Sequence, residues 1–294
     1  FIKLVKSTGT NALTFKESNR ITNGNLATDF QFPYMVSLQQ TSQIALATRG
    51  HRCGGVMITL QHVLTAASCL INTVNTTPVQ ITLSEYRVFA GSAILTNDAV
   101  QDRIRFIANA TIHPEFIGPP AHINDIAIIT LSAPFLNTTV TPIALPAANF
   151  IPADFTLCTV AGWGSPDAIA NASTQLRFTT KYVYGQNLCT NIYAGLPYIS
   201  NVFPSMICAA SYDIISSGCF GDEGSALVCN SGLTGILFLT NQCTPSSYPE
   251  LYTRVSNYTT WIRSVTGGAS TFRADIAMWA IFALVQIISI KVIS

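Results

Sequence analysis

A chain of 294 residues, 49% hydrophobic and 10% charged, is long enough to bury a large core and too apolar to stay disordered. Its formal net charge is +1 with no basic run, which excludes nucleic acid as a main partner, because phosphate binding needs clustered Lys and Arg. Four histidines and the lack of any Cys-x-x-Cys pair argue against a metal site, and no cofactor-binding motif stands out.

Residues 1–20 are polar and carry no hydrophobic period. From Gln31 onward, short apolar or alternating runs are separated by Gly, Pro, Asn and Ser. The runs Tyr34–Gln39, Arg87–Ala90, Arg105–Ile112, Ile126–Leu131, Cys158–Trp163, Phe178–Val183 and Leu233–Leu239 are predicted strands. Many short strands with turn signals between them predict an all-β sandwich or barrel. One helix is expected, late in the chain. Ser256 is its expected cap, Tyr258, Trp261, Ile262 and Val265 form its apolar face, and Gly267-Gly268 stops it. Beyond it, Ile276–Ser294 is an apolar tail broken by Gln286, Ser289 and Lys291. The order of small residues (267–270), short polar spacer (271–275) and apolar tail resembles a GPI-attachment signal, with a membrane span as the alternative. Because the sequence shows no starting Met and no signal peptide, the expectation is that the native N-terminus is missing or already removed.

The eight cysteines are Cys53, Cys69, Cys158, Cys189, Cys208, Cys219, Cys229 and Cys243. An even count without metal spacing points to disulfides and an oxidising compartment, and so to a secreted or extracellular protein. Sequons starting at Asn75, Asn109, Asn137, Asn171 and Asn257 agree, as candidate glycosylation sites.

The stretch Cys219-Phe220-Gly221-Asp222-Glu223-Gly224-Ser225-Ala226-Leu227-Val228-Cys229 resembles the nucleophile loop of trypsin-like serine proteases, Cys-x-Gly-Asp-Ser-Gly-Gly-Pro-Leu-Val-Cys. Other segments resemble the same family in the same order. Arg20-Ile21-Thr22-Asn23-Gly24 is similar to the activation junction, and Phe32–Leu38 to the first strand. His51–Gly55 and Val63–Cys69 are similar to the segments around the first disulfide. Asn124–Ile128 is similar to the buried-aspartate motif, and Val160–Gly164 and Pro249–Val255 complete the set. The resemblance implies two antiparallel six-stranded β-barrels with a C-terminal α-helix. It divides the chain into a pro-segment-like stretch (1–20), a protease-homologue domain (21–266) and a linker with its apolar tail (267–294). It also implies the pairs Cys53–Cys69, Cys158–Cys229, Cys189–Cys208 and Cys219–Cys243.

Acyl transfer in this family needs a nucleophile, a base to take its proton and an acid to orient the base. The resemblance assigns these roles to Glu223, Ser68 and Asp125. Serine accepts no proton near neutral pH, and Glu223 stands where the reactive serine belongs. Asp125 is then expected to have nothing to orient. The cysteine spacing excludes a displaced nucleophile at Ser225, His62 lies on the strand leading into the base loop and cannot reach round the turn, and His51 and His122 are expected to be structural. Gly221 holds the oxyanion-hole position, and Asp222 the acid that pairs with a freed Ile21 amine after cleavage at Arg20. Glu223 is expected to fold back onto the oxyanion-hole amides. Ser217 aligns with the floor of the specificity pocket, Leu239 crowds its wall, and Glu250 either fills it or awaits a cationic guest.

The expected function is that of a non-catalytic serine protease homologue that binds a protein partner (a protease, an inhibitor or another macromolecule), secreted or tethered to a membrane by its tail. An active chymotrypsin-like endopeptidase and a cell-surface adhesion or glycan-binding module are the alternatives.

Overall fold

Branched and aromatic side chains fit a pleated surface, and Gly, Pro and Asn end it, so the alternating runs become strands. The computed structural model describes residues 24–165, 172–194, 199, 201–212, 216–240, 243 and 248–267. The strands are β1 (Asn25–Leu26), β2 (Met35–Gln40), β3 (His51–Met57), β4 (His62–Thr65), β5 (Ile71–Val74), β6 (Thr77–Gln80), β7 (Tyr86–Ala90), β8 (Ile104–Ile112), β9 (Ala127–Leu131), β10 (Leu157–Gly162), β11 (Arg177–Tyr184), β12 (Met206–Ala210), β13 (Ala226–Cys229), β14 (Gly232–Leu239) and β15 (Glu250–Arg254). Each strand predicted from the sequence matches one of these to within a residue at either end.

The strands close into two antiparallel barrels. The first runs β2-β3-β4-β9-β8-β7. The second runs β11-β10-β13-β14-β15-β12 and closes through a β11–β12 pairing, with β1 added at the edge of β11. Closure leaves no free sheet edge within either barrel, which protects the chain from edge-to-edge association. Leu38, Val56, Leu64, Val88 and Ile128 fill the first barrel, and Val160, Ala209, Leu227, Leu237 and Tyr252 the second. Burial of such side chains stabilises by roughly 1.5–3 kcal/mol each.

Hydrogen bonds sew the barrels together. Trp163 Nε1 donates to Ala93 O at 2.9 Å, the Leu176 amide to Ala93 O at 2.7 Å, and the Gly54 amide to Glu223 O at 2.8 Å. Thr253 Oγ1 donates to Asp125 O at 2.7 Å. The last two place the seam directly beneath Asp125 and Glu223.

Two α-helices are present among the described residues, where one was expected. α1 (Gln186–Tyr193) buries Cys189 and Tyr193 one turn apart, and its brevity hides the period. The late helix, α2 (Thr259–Val265), follows a 3₁₀ turn at Val255–Tyr258. Ser256 lies inside that turn and does not cap α2. Its hydroxyl instead donates to Phe150 O at 2.7 Å, tying α2 to the second barrel's entry loop. Gly267 takes φ +76° just past α2, the left-handed conformation suited to a helix end.

Four disulfides join Cys53 to Cys69, Cys158 to Cys229, Cys189 to Cys208 and Cys219 to Cys243, the pairing the resemblance implied. Cys158 and Cys229 are direct cross-strand neighbours on β10 and β13. Such crosslinks belong to an oxidising compartment and an extracellular or secreted chain. Among the described residues, no helix is long and apolar enough to cross a membrane. The stretch 1–20, the Arg20-Ile21 junction, the Asn171 sequon and the apolar tail all lie outside the described residues.

Candidate active-site cleft

Asp125 sits at the end of a loop that enters β9, fully buried. Its Oδ1 accepts the Ser68 amide at 2.8 Å. Ser68 lies in a 3₁₀ turn, Ala67–Leu70, which the Cys53–Cys69 disulfide anchors to β3. The turn thus contributes its backbone, and the Ser68 side chain brings no base.

Asp125 does have something to orient. His122 Nδ1 donates to Asp125 Oδ2 at 3.2 Å, and the imidazole lies stacked on Phe238 with ring centroids 5.2 Å apart and planes 25° apart. Asp125 is thus not idle, and His122, expected to be structural, is one of its partners. His122 has φ 47° and Asn124 φ 52°, so two left-handed residues fold the loop back and bring the ring over the carboxylate.

The loop before β13 carries Gly221, Asp222 and Glu223. Gly221 has φ +95° and Gly224 φ +84°. At Gly224 a Cβ would meet Gly54 O at 2.2 Å and Thr65 Oγ1 at 2.3 Å, so glycine is required there on both counts. The Glu223 side chain turns back on its own loop, where its Oε2 accepts the Gly221 amide at 2.8 Å. Burial pushes the Glu223 carboxyl above the usual range, while the Glu223 and Gly221 amides pull it down and the carboxylates of Asp125 and Glu250 push it further up. The Gly224 amide donates to Leu237 O at 2.7 Å, which docks this loop against β14 beside Phe238.

Asp222 is buried beneath the loop. Its Oδ1 accepts the Gly164 amide at 2.8 Å and its Oδ2 the Cys219 amide at 3.0 Å. Burial pushes its carboxyl up to about 7, against the lowering effect of those two amides, and the Glu223 and Glu250 charges add to the rise. His51 has its ring satisfied at both ends. Nε2 donates to Gly221 O at 2.9 Å, and Nδ1 then accepts Ser37 Oγ at 2.7 Å. Burial lowers it to about 4, despite the Gly221 carbonyl, so it is a neutral brace.

Glu250 opens β15 with Ser217 and Gly218 beside it. Its carboxylate is paired: Lys181 Nζ lies 2.9 Å from Oε1, Tyr252 OH donates to Oε2 at 2.5 Å, and the Gly218 amide donates to Oε1. Lys181 also donates to Ser216 O at 2.8 Å. The expected cation is therefore internal. Ser217 Oγ is buried without a hydrogen-bond partner among the described residues. Leu239 is half-buried and pairs with Leu251 beyond a bulge in β14. Ser225 Oγ is buried where a Cβ on Gly54 would fall, and His62 Nδ1 bonds Thr59 Oγ1 at 2.8 Å at the start of β4. Asn75, Asn109, Asn137 and Asn257 are all exposed, with Asn75 at the β5–β6 turn. Among the described residues, no three metal-binding side chains converge.

Lys181 is absent from the sequence expectations, and His122 is expected there only to be structural. Lys181 shares the inward face of β11 with Thr179 and Val183, and a lysine at inward parity calls for a buried anion. His122 stands three residues before Asp125, a spacing readable in the sequence, but only the left-handed loop turns it onto the carboxylate.

Two six-stranded barrels joined at a seam that holds a buried aspartate and a glycine loop, with four disulfides, define the double-barrel serine-protease fold. A family model described as Trypsin matches residues 21–262, and the chain belongs to that family. It is 31% identical to Trypsin alpha-4 of Lucilia cuprina, over 83% of this chain and 87% of the relative. It is 32% identical to Granzyme M of Homo sapiens, over 80% of this chain and 84% of the relative. Among solved structures, mouse neuropsin, a serine protease expressed in the limbic system of the brain, superposes with a TM-score of 0.68 and 28% identity, over 83% of this chain and 98% of that one.

Proposed function

We propose that this chain is a non-catalytic member of the trypsin family that acts by binding a protein partner. One observation carries the reading: the Glu223 carboxylate stands at the nucleophile position and is bonded to the Gly221 amide. A carboxylate there fills the site where the family would hold a developing oxyanion, and it leaves no hydroxyl to attack. Ser68, engaged through its backbone alone, supplies no base at the usual place. Loss of nucleophile or base costs about 10⁶-fold in turnover in a related triad. The Lys181–Glu250 pair also favours this reading, because it occupies the region that would receive a substrate side chain.

The partner is a protease, an inhibitor or another macromolecule, met outside the cell or at its surface, with the apolar tail serving as a GPI signal or a span. Asp222 serves as a conformational switch that receives the Ile21 amine if Arg20-Ile21 is cleaved. Labelling with a fluorophosphonate probe tests the central statement. No adduct on the folded, disulfide-bonded chain is expected. A stoichiometric covalent adduct would overturn the reading in favour of an active endopeptidase, the activity carried by the names of the relatives.

A further inference from the structure

From the placement of His122 we infer that this cleft holds a relocated general base, an Asp125–His122 dyad that activates water against small, activated carboxylic esters. The claim is independent of the binding role and concerns a different bond from the peptide bond.

The geometry has three parts. Asp125 is held from below by the Ser68 amide on Oδ1 at 2.8 Å, which leaves Oδ2 directed at the imidazole. Oδ2 accepts Nδ1–H of His122, and that bond fixes the tautomer with the lone pair on Nε2. The ring is clamped on its flat face by Phe238, so the lone pair has a fixed direction. Nε2 has no hydrogen-bond partner among the described residues, and the side chain keeps 8% of its surface open. An orienting carboxylate on one nitrogen and a free lone pair on the other is the arrangement a general base requires.

The other histidines lack it. His51 uses both nitrogens on Ser37 and Gly221. His62 is bonded through Nδ1 to a threonine hydroxyl. His113 accepts the Glu115 amide on Nδ1 and packs against Tyr258 and Trp261. None has a carboxylate behind the ring. The dyad also adjoins the nucleophile position. Gly224, next to Glu223, bonds Leu237 O, and the following residue on β14 is Phe238, which carries the imidazole. Asp125 is close enough to raise the Glu223 carboxyl's proton affinity.

In the step itself, Nε2 takes a proton from water as the water oxygen bonds to the acyl carbon, and the carbonyl electron pair moves to oxygen. The tetrahedral species collapses by expelling the aryl oxide. The imidazolium then releases its proton to solvent, so the products are the carboxylic acid and the phenol, and the chain is unchanged. A good leaving group is required, because Glu223 occupies the amides that would otherwise steady the oxyanion.

The test is hydrolysis of p-nitrophenyl acetate by the full chain. His122→Gln should lower the catalysed rate about 100-fold, the low end of general-base contributions. His113→Gln should leave it unchanged. Glu223→Ser should gain fluorophosphonate labelling, and Glu223→Ser/His122→Gln should lose it. On the wild-type chain, activity should fall in step with carbethoxylation of His122, which needs no variant to fold. The inference is overturned by a wild-type rate equal to the blank, by an unchanged rate in His122→Gln, by activity that survives complete modification of His122, or by a burst of one phenol per chain with acetyl on the ring, which would make His122 a nucleophile. Labelling of the wild-type chain bears instead on the non-catalytic reading, so the two can fail separately.

Discussion

Lys181 Nζ lies 2.9 Å from Glu250 Oε1, and each side chain is only 1% exposed. A pair this deep is held by its surroundings: Ser216 O takes one proton of the ammonium, while the Tyr252 hydroxyl and the Gly218 amide satisfy the carboxylate. Removing one partner strands a charge in a medium that solvates it poorly.

Lys181→Met should therefore destabilise the chain by about 3–5 kcal/mol, read as a shift in the denaturant midpoint. Lys181→Met/Glu250→Leu should recover most of that loss, because two apolar groups of similar volume leave no charge behind. A double variant as unstable as the single one would show that the pair organises the loop rather than merely neutralising itself.

Asp222 makes stability depend on pH. Its folded carboxyl titrates at about 7 and its unfolded one near 3.8. Below the unfolded value both states are protonated. Between the two values the folded state holds a proton that the unfolded state has released, so stability falls as pH rises, by up to about 1.4 kcal/mol per pH unit. Glu223, also raised, contributes with the same sign. Thermal unfolding from pH 4 to 7 should show this decline in the chain uncleaved at Arg20, and Asp222→Asn should flatten it. In the cleaved chain an ammonium beside Asp222 would reverse the trend.

Ser68→His/Glu223→Ser places a base and a nucleophile at the positions where the family carries them. The pair should label with a fluorophosphonate faster than Glu223→Ser alone, because the loop backbone is already shaped by Gly221 and Gly224. Peptide cleavage should stay at background if, as proposed, the Lys181–Glu250 pair occupies the region that would receive a substrate side chain. Cleavage of a peptide library by this variant would show the pocket to be open.

Gly224→Ala should cost at least about 3 kcal/mol, from a left-handed backbone and a Cβ driven into Gly54 O. Gly232→Ala is the control. The nearest atom to its Cβ is Cys229 O at 3.6 Å, so its effect should stay within about 1 kcal/mol.

The barrels were legible because each strand carries its own signal. Alternation along β11 or β14 is local, and the cysteine frame supplied the pairing through the family resemblance. The identities of Ser68 and Glu223 were equally plain. What a linear reading missed was compensation between distant residues. Whether Glu250 fills the pocket or awaits a cationic guest stayed open in the sequence because Lys181 is 69 positions away along the chain, though 2.9 Å away in space. Asp125 read as idle because the loop's left-handed turns are set by tertiary contacts. The Ser256 cap failed for a like reason, its hydroxyl being drawn to Phe150 O across the fold.

Backbone bonds at positions 68 and 223 explain why this scaffold tolerates such exchange. At position 68 the main-chain N–H holds Asp125, and at position 223 the main-chain carbonyl receives the Gly54 amide. Every amino acid except proline offers the same N–H, and every one offers the same carbonyl. The two side chains on which the chemistry of the family turns are thus decorations on a backbone joint that is indifferent to them. Selection can rewrite the chemistry at either position while these backbone bonds stay as they were.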